Sequence, residues 1–124
     1  MKMGDRICLR FTAEGWTGDR EVSPTLYAHW YGKDLLKIAA NFWKKYKDEL
    51  RHKPSNWMVN FIVHLRDTPE DGGLYLYASD ETACGPDDNG YWEFDVDTGV
   101  CVKTRMGDFD GGESVGTEYE EEEE

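Results

Sequence analysis

The stretch Pro24-Thr25-Leu26-Tyr27-Ala28-His29-Trp30-Tyr31-Gly32 decides how this chain folds. Its period is two. Leu26, Ala28 and Trp30 fall on one side, and Tyr27, His29 and Tyr31 on the other. A half-buried strand has that period, one face toward a core and one toward water. Here the water-side residues are rings and an imidazole rather than Lys, Glu or Thr. Gly32 closes the strand.

Arg6 to Thr12, on the N-terminal side, alternates in the same way. Ile7, Leu9 and Phe11 lie inward, and Arg6, Cys8 and Arg10 outward, again as a half-buried strand. Residues 13–23, AEGWTGDREVS, read as a hairpin loop. From Lys33 the period lengthens, with Leu35, Leu36, Ile38, Ala39, Phe42, Trp43, Tyr46 and Leu50 at three- and four-residue spacing. That pattern predicts an amphipathic helix ending before Pro54. Ser55 is the expected N-cap of a second helix carrying Trp57, Met58, Phe61, Ile62 and Leu65. Val59, Ile62 and Val63 also suit a strand, but alternation fails there and the helix is preferred.

Leu74 to Ala78 alternates as a third strand and Tyr91 to Val96 as a fourth. Asp97-Thr98-Gly99 turns tightly into a short fifth strand, Val100 to Lys103. The order ββααβββ, with hairpins dominant and helices consecutive, predicts an α+β fold. It is a two-layer sandwich: an antiparallel sheet of about five strands with two helices on one face. Residues 1–104 make a single α+β domain.

Residues 105–124 carry nine acids and one base, and so −8 of the formal net charge of −12. This Gly- and Glu-rich stretch reads as a disordered acidic tail. The remainder, at −4, is neither a basic nucleic-acid binder nor an acidic mimic of DNA. Cys8, Cys84 and Cys101 are odd in number and widely spaced, without a CxxC pair, so a cytoplasmic, reducing setting is expected. The opening residues MKMGDRICLRF meet charge at once, so no signal peptide is expected, and no apolar run approaches the length of a membrane span.

The outward positions of the strands are Arg6, Cys8, Arg10, Tyr27, His29, Tyr31, Tyr75, Tyr77, Tyr91, Glu93, Asp95, Cys101 and Lys103. Tyrosine and arginine join a large contact area to a polar end and are the residue types of binding hot spots. The leading expectation is a small protein-binding or regulatory module that works through this tyrosine-rich face. Its partner is another protein or a second copy, a homodimer through stacked sheets. A structural aromatic ladder is the competing account of the same residues. Glu93 and Asp95 on the face argue against stacking nucleic-acid bases there.

The alternative function is a small enzyme or ligand-binding protein with a site around His29 and the Asp87-Asp88-Asn89 loop, with Cys84 as a nucleophile if a histidine lies near. Asn89-Gly90 before a strand is first of all a turn signal. His64, beside Val63 and Leu65, reads as a packing residue. No phosphate loop, hydrolase elbow, metal motif or cofactor motif occurs.

With Tyr27-Ala28-His29-Trp30-Tyr31-Gly32 and Asp88-Asn89-Gly90-Tyr91 through Asp95 read together, the chain resembles an uncharacterised family of small proteins from prokaryotes and their viruses. That family has a Tyr-x-His-Trp-x-Gly segment leading into a helix and a late Asp-Asn-Gly before a strand. The resemblance covers about residues 6–102 and implies no activity. It keeps His29 and the Asp88-Asn89-Gly90 loop as site candidates.

Overall fold

A computed structural model of the chain describes residues 5–66, 73–78 and 89–104. The expected acidic tail and the loop candidates Cys84, Asp87 and Asp88 lie outside the described residues. In chain order the elements are β1 (Ile7–Glu14), β2 (Arg20–Val22), β3 (Thr25–Ala28), α1 (Asp34–Tyr46), α2 (Pro54–Arg66), β4 (Leu74–Tyr77), β5 (Tyr91–Asp95) and β6 (Cys101–Thr104). The class is α+β, as the periodicities imply.

Among the described residues the sheet is mixed and has six strands, not the antiparallel five expected. Its order is β4-β3-β1-β5-β6, with β2 paired to β1 beside that path. The additional strand, β2, lies inside the stretch read as a loop and pairs Thr12 with Val22 and Glu14 with Arg20. β1 and β5 run parallel, Cys8 beside Tyr91 and Phe11 beside Phe94. Hairpin counting assumes that consecutive strands are neighbours. Here β4 and β5 are not neighbours, and β5 enters the sheet on the far side of β1.

β1 sits at the centre, between β3 and β5, and all its residues but Glu14 are buried. It is therefore covered on both faces, against the half-buried expectation. Ile7, Leu9, Phe11 and Ala13 share one cluster with Leu26 and Ala28 of β3, Trp92 and Phe94 of β5, and the buried sides of both helices. α1 contributes Leu35, Leu36, Ala39 and Phe42, and α2 contributes Trp57, Met58, Phe61 and Leu65. Phe11 meets Phe61 edge-on at 5.5 Å, and Phe42 meets Trp57 edge-on at 5.6 Å. Such ring pairs add about 0.5–1.5 kcal/mol each beyond burial and fasten the helices to the sheet.

α2 begins at Pro54, one residue before the expected cap. Proline lacks the N–H that a first helical residue leaves unpaired, so Pro54 starts the helix at little cost and Ser55 falls within the first turn. α1 gives up its regular hydrogen bonding after Tyr46; the Glu49 and Leu50 N–H groups both donate to the Tyr46 carbonyl. Leu50 still packs against the core. Asp97-Thr98-Gly99 turns β5 into β6 as expected, with the Asp95 N–H donating to the Val100 carbonyl at 2.9 Å.

Candidate functional site

The sheet face away from the helices carries Cys8, Arg10 and Thr12, Thr25 and Tyr27, Tyr75 and Tyr77, and Tyr91 and Glu93, as strand register requires. Most of this face is buried. Cys8, Tyr27 and Tyr91 form a second small cluster with Tyr77 packed on it, and Tyr27 is 8% and Tyr91 4% exposed. Tyr75, at 56%, is the open ring of the set. Its centroid lies 5.8 Å from that of Tyr27. Two expected members belong elsewhere. Cys101 stands opposite Phe94 and so joins the core on the helical side. Lys103 stands opposite Trp92 on that same side.

The reason Tyr31 also leaves this face is local. β3 ends at Ala28, and the following residues curl around Asp5. The Asp5 N–H donates to the His29 carbonyl at 2.7 Å, and the Gly32 N–H donates to the Asp5 carbonyl at 2.8 Å. The curl breaks the alternation. Trp30, expected in the core, is 52% exposed, and Tyr31 packs against the helical core instead. Gly32 has φ +59°, and a Cβ there would collide with the Asp5 carboxylate. Only glycine fits that corner without strain.

Asp5 also draws in the late turn. Asn89 Nδ2 donates to Asp5 Oδ1 at 2.7 Å and to the Arg6 carbonyl at 2.8 Å. Trp92 Nε1 donates to the Asn89 carbonyl at 2.7 Å. The His29 segment and Asn89 therefore meet at the same end of the sheet, joined through Asp5. His29 Nδ1 lies 2.9 Å from the Tyr27 hydroxyl, and its ring meets Trp30 edge-on at 4.3 Å. Asn89 is thus a structural clasp. Its side chain is spent on Asp5 and Arg6. Arg6 itself is half-buried just before β1.

Arg10, an expected binding arginine, is 1% exposed and ion-paired to Glu93, also 1% exposed. Arg10 Nε donates to Glu93 Oε2 at 2.7 Å, and Arg20 Nη2 donates to Glu93 Oε1 at 3.0 Å. One carboxylate thus bridges two guanidiniums, one internal and one half-exposed. Two buried charges held this way balance their lost hydration, which explains how a polar pair sits inside the sheet.

Among the described residues the cysteine thiols are muted. Burial, and after it the nearby Glu93 charge, pushes the Cys101 thiol from 9.0 up to about 12. It stays protonated at neutral pH and is no nucleophile. Cys8 is wholly buried. His64 is half-buried with its ring 5.0 Å from Phe42, a packing position as expected. Among the described residues no group of three His, Cys, Asp or Glu is placed to hold a metal ion.

One feature escaped the sequence reading. A groove of about 550 Å3 lies between the β1–β2 hairpin and the turn before α2, lined by Trp16 from the hairpin and by Arg51, His52 and Lys53 from the turn. Its bases are partly engaged: His52 Nδ1 is 2.7 Å from Asp97 and Lys53 Nζ 3.5 Å from Glu21. The one local signal was a tryptophan between two glycines, Gly15 and Gly18.

The described residues form an α+β protein built on an open, mixed sheet of six strands. No protein-family model, no curated protein and no solved structure matches the chain. No helix of the described residues is long and apolar enough to cross a membrane.

Proposed function

We propose that this chain is a small protein-binding module whose docking surface is the β3–β4 end of the sheet. The observation that carries the reading is a local concentration of open apolar side chains. Trp30 is 52%, Tyr75 56% and Leu76 55% exposed, all at the β4 margin of the sheet, with Tyr75 and Leu76 on its two opposite faces. Trp30 lies against the backbone of Gly73 at the head of β4; a Cβ built on Gly73 would stand 3.2 Å from the indole. Exposed rings grouped in this way mark contact sites more often than isolated ones do. Tyr27 and Tyr91 take the other role foreseen for them: as packed rings they support the open ones from behind. The tyrosine face is therefore narrower than the full set of outward residues.

The buried cysteines Cys8 and Cys101 suit a reducing cytoplasm, which is part of the proposal. So is membership of the uncharacterised family with the Tyr-x-His-Trp-x-Gly segment. The support is that Tyr27, His29, Gly32 and Asn89 each make a specific contact around one corner, which gives both motifs a shared physical purpose.

The test is a photo-crosslinking residue placed at Tyr75 in the full chain within its native host. A discrete adduct that is lost on Trp30→Ala and absent when the probe sits at Val63 on α2 is the expected result. No adduct, or the same adducts from both positions, overturns the reading.

A further inference from the structure

We infer that β4 pairs with β4 of a second copy of this chain, across a two-fold axis at Leu76. This rests on the docking surface proposed above and names its occupant.

β4 is an outer strand of the sheet, and no strand of the described residues lies on its far side. Its sequence is Leu74-Tyr75-Leu76-Tyr77, with no charge, proline or glycine. Its pairing with β3 is regular from Thr25–Tyr77 to Ala28–Leu74, so no bulge twists the edge away. Natural sheets protect such margins with lysine, proline, bulges or covering segments, because unpaired N–H and C=O groups recruit another strand. The opposite margin follows that rule: β6 carries an exposed Lys103. β4 does not.

The backbone polarity can be worked out. The His29 N–H donates to the Gly73 carbonyl at 3.2 Å, so Gly73 turns its backbone groups toward β3. In an antiparallel ladder the direction alternates, and Tyr75 and Tyr77 turn the same way. Leu74, Leu76 and Ala78 therefore direct their N–H and C=O groups outward. An antiparallel copy centred on Leu76 sets Leu76 against Leu76 and Leu74 against Ala78, residues that all offer both groups to the partner. About six inter-chain hydrogen bonds form in that register.

The side chains agree with the same axis. Cross-strand partners share a face, so Leu76 meets Leu76 on the helical side while Tyr75 meets Tyr77 on the other. Like meets like in both layers. Half-exposed Leu76 and Tyr75 become covered, and the two sheets run on as one. A shift of one residue in register would set tyrosine against leucine and put the helices of the two copies on opposite faces of the joined sheet. A foreign peptide would have to reproduce this pattern; a second copy has it by construction. Each chain carries −12, so the copies repel at long range while the strand between them is uncharged. Added salt therefore tightens the pair.

Sedimentation equilibrium on the purified full chain, from about 1 to 500 micromolar, reads the association directly. The expected result is a dimer that tightens as salt is raised. Leu76→Pro removes one outward N–H and leaves the ladder to β3 intact, and it weakens the dimer at least ~10-fold. Leu76→Lys, which keeps the backbone whole, does the same through charge. Circular dichroism verifies that both variants fold. A monomer at every concentration and salt, or a dimer indifferent to both substitutions, overturns the inference. A monomeric chain that still gives the Tyr75 adduct to another protein overturns self-pairing alone and leaves the docking surface standing. A Leu76-dependent dimer without any Trp30-sensitive adduct at Tyr75 does the reverse.

Discussion

Arg10 and Glu93 stand at the same level of adjacent parallel strands and are each 1% exposed, so the one charge is the other's principal substitute for water. Arg20 closes the far side of the carboxylate at 3.0 Å while itself reaching solvent. Removing Glu93 takes the carboxylate from the buried Arg10, and removing Arg10 leaves the buried Glu93 charge to the half-exposed Arg20. Arg10→Met and Glu93→Gln are each expected to cost about 3–5 kcal/mol in urea unfolding. Arg10→Met combined with Glu93→Leu should cost clearly less than the sum, with a coupling of at least ~1 kcal/mol. Additive losses would show that the pair is not a unit.

Gly32 and Asp5 form a second coupled pair. Gly32→Ala imposes a left-handed backbone on a residue with a Cβ, at about 1–2 kcal/mol, and drives that Cβ into the Asp5 carboxylate. In an Asp5→Ala background the collision is gone and only the backbone strain remains. The same substitution should then cost measurably less. Asn89→Asp, which sets a second carboxylate against Asp5 Oδ1, should be more destabilising than Asn89→Ala.

Gly99 separates steric from conformational cost in the same way. It has φ +79°, and a Cβ would stand 2.6 Å from the Trp43 ring, which is fixed by its Nε1 donation to the Val96 carbonyl at 2.8 Å. Gly99→Ala should lose about 2 kcal/mol or more. Gly18, at φ +83° with only the Glu14 carboxylate 3.8 Å away, provides the comparison. Gly18→Ala should lose about 1 kcal/mol, the backbone term alone. Equal losses would mean that Trp43 yields.

The Cys101 thiol makes a pH prediction. Its folded value, about 12, lies above the ordinary 9.0 because burial, and then Glu93, disfavours the thiolate. The unfolded chain therefore releases a proton that the folded chain keeps. Stability is intact below about pH 9 and falls as pH rises through the window up to about 12, by up to about 1.4 kcal/mol per pH unit. Subtracting the profile of Cys101→Ala isolates this contribution from lysine and tyrosine titration. An identical alkaline slope in that variant would refute it.

Much of this architecture was legible in the chain itself. The two-residue period of Ile7, Leu9 and Phe11, and of Leu26 and Ala28, depends only on neighbouring residues. So does the helical spacing of Leu35, Leu36, Ala39 and Phe42, and of Trp57, Phe61 and Leu65. Both periods therefore survive any tertiary arrangement. The tight turn at Asp97-Thr98-Gly99 is local in the same sense.

What only the folded chain decided involves partners far apart in sequence. Alternation says which way a side chain points but not which strand lies beside it, so the parallel union of β1 with β5 was invisible, and with it the burial of Arg10 by Glu93. The curl of His29 through Gly32 was equally hidden, because its cause is Asp5, more than twenty residues upstream, held in turn by Asn89. That curl moved Trp30 outward and Tyr31 inward. Local sequence carries period and propensity; the pairing of distant groups is set by which arrangement leaves the fewest buried charges and backbone donors without partners.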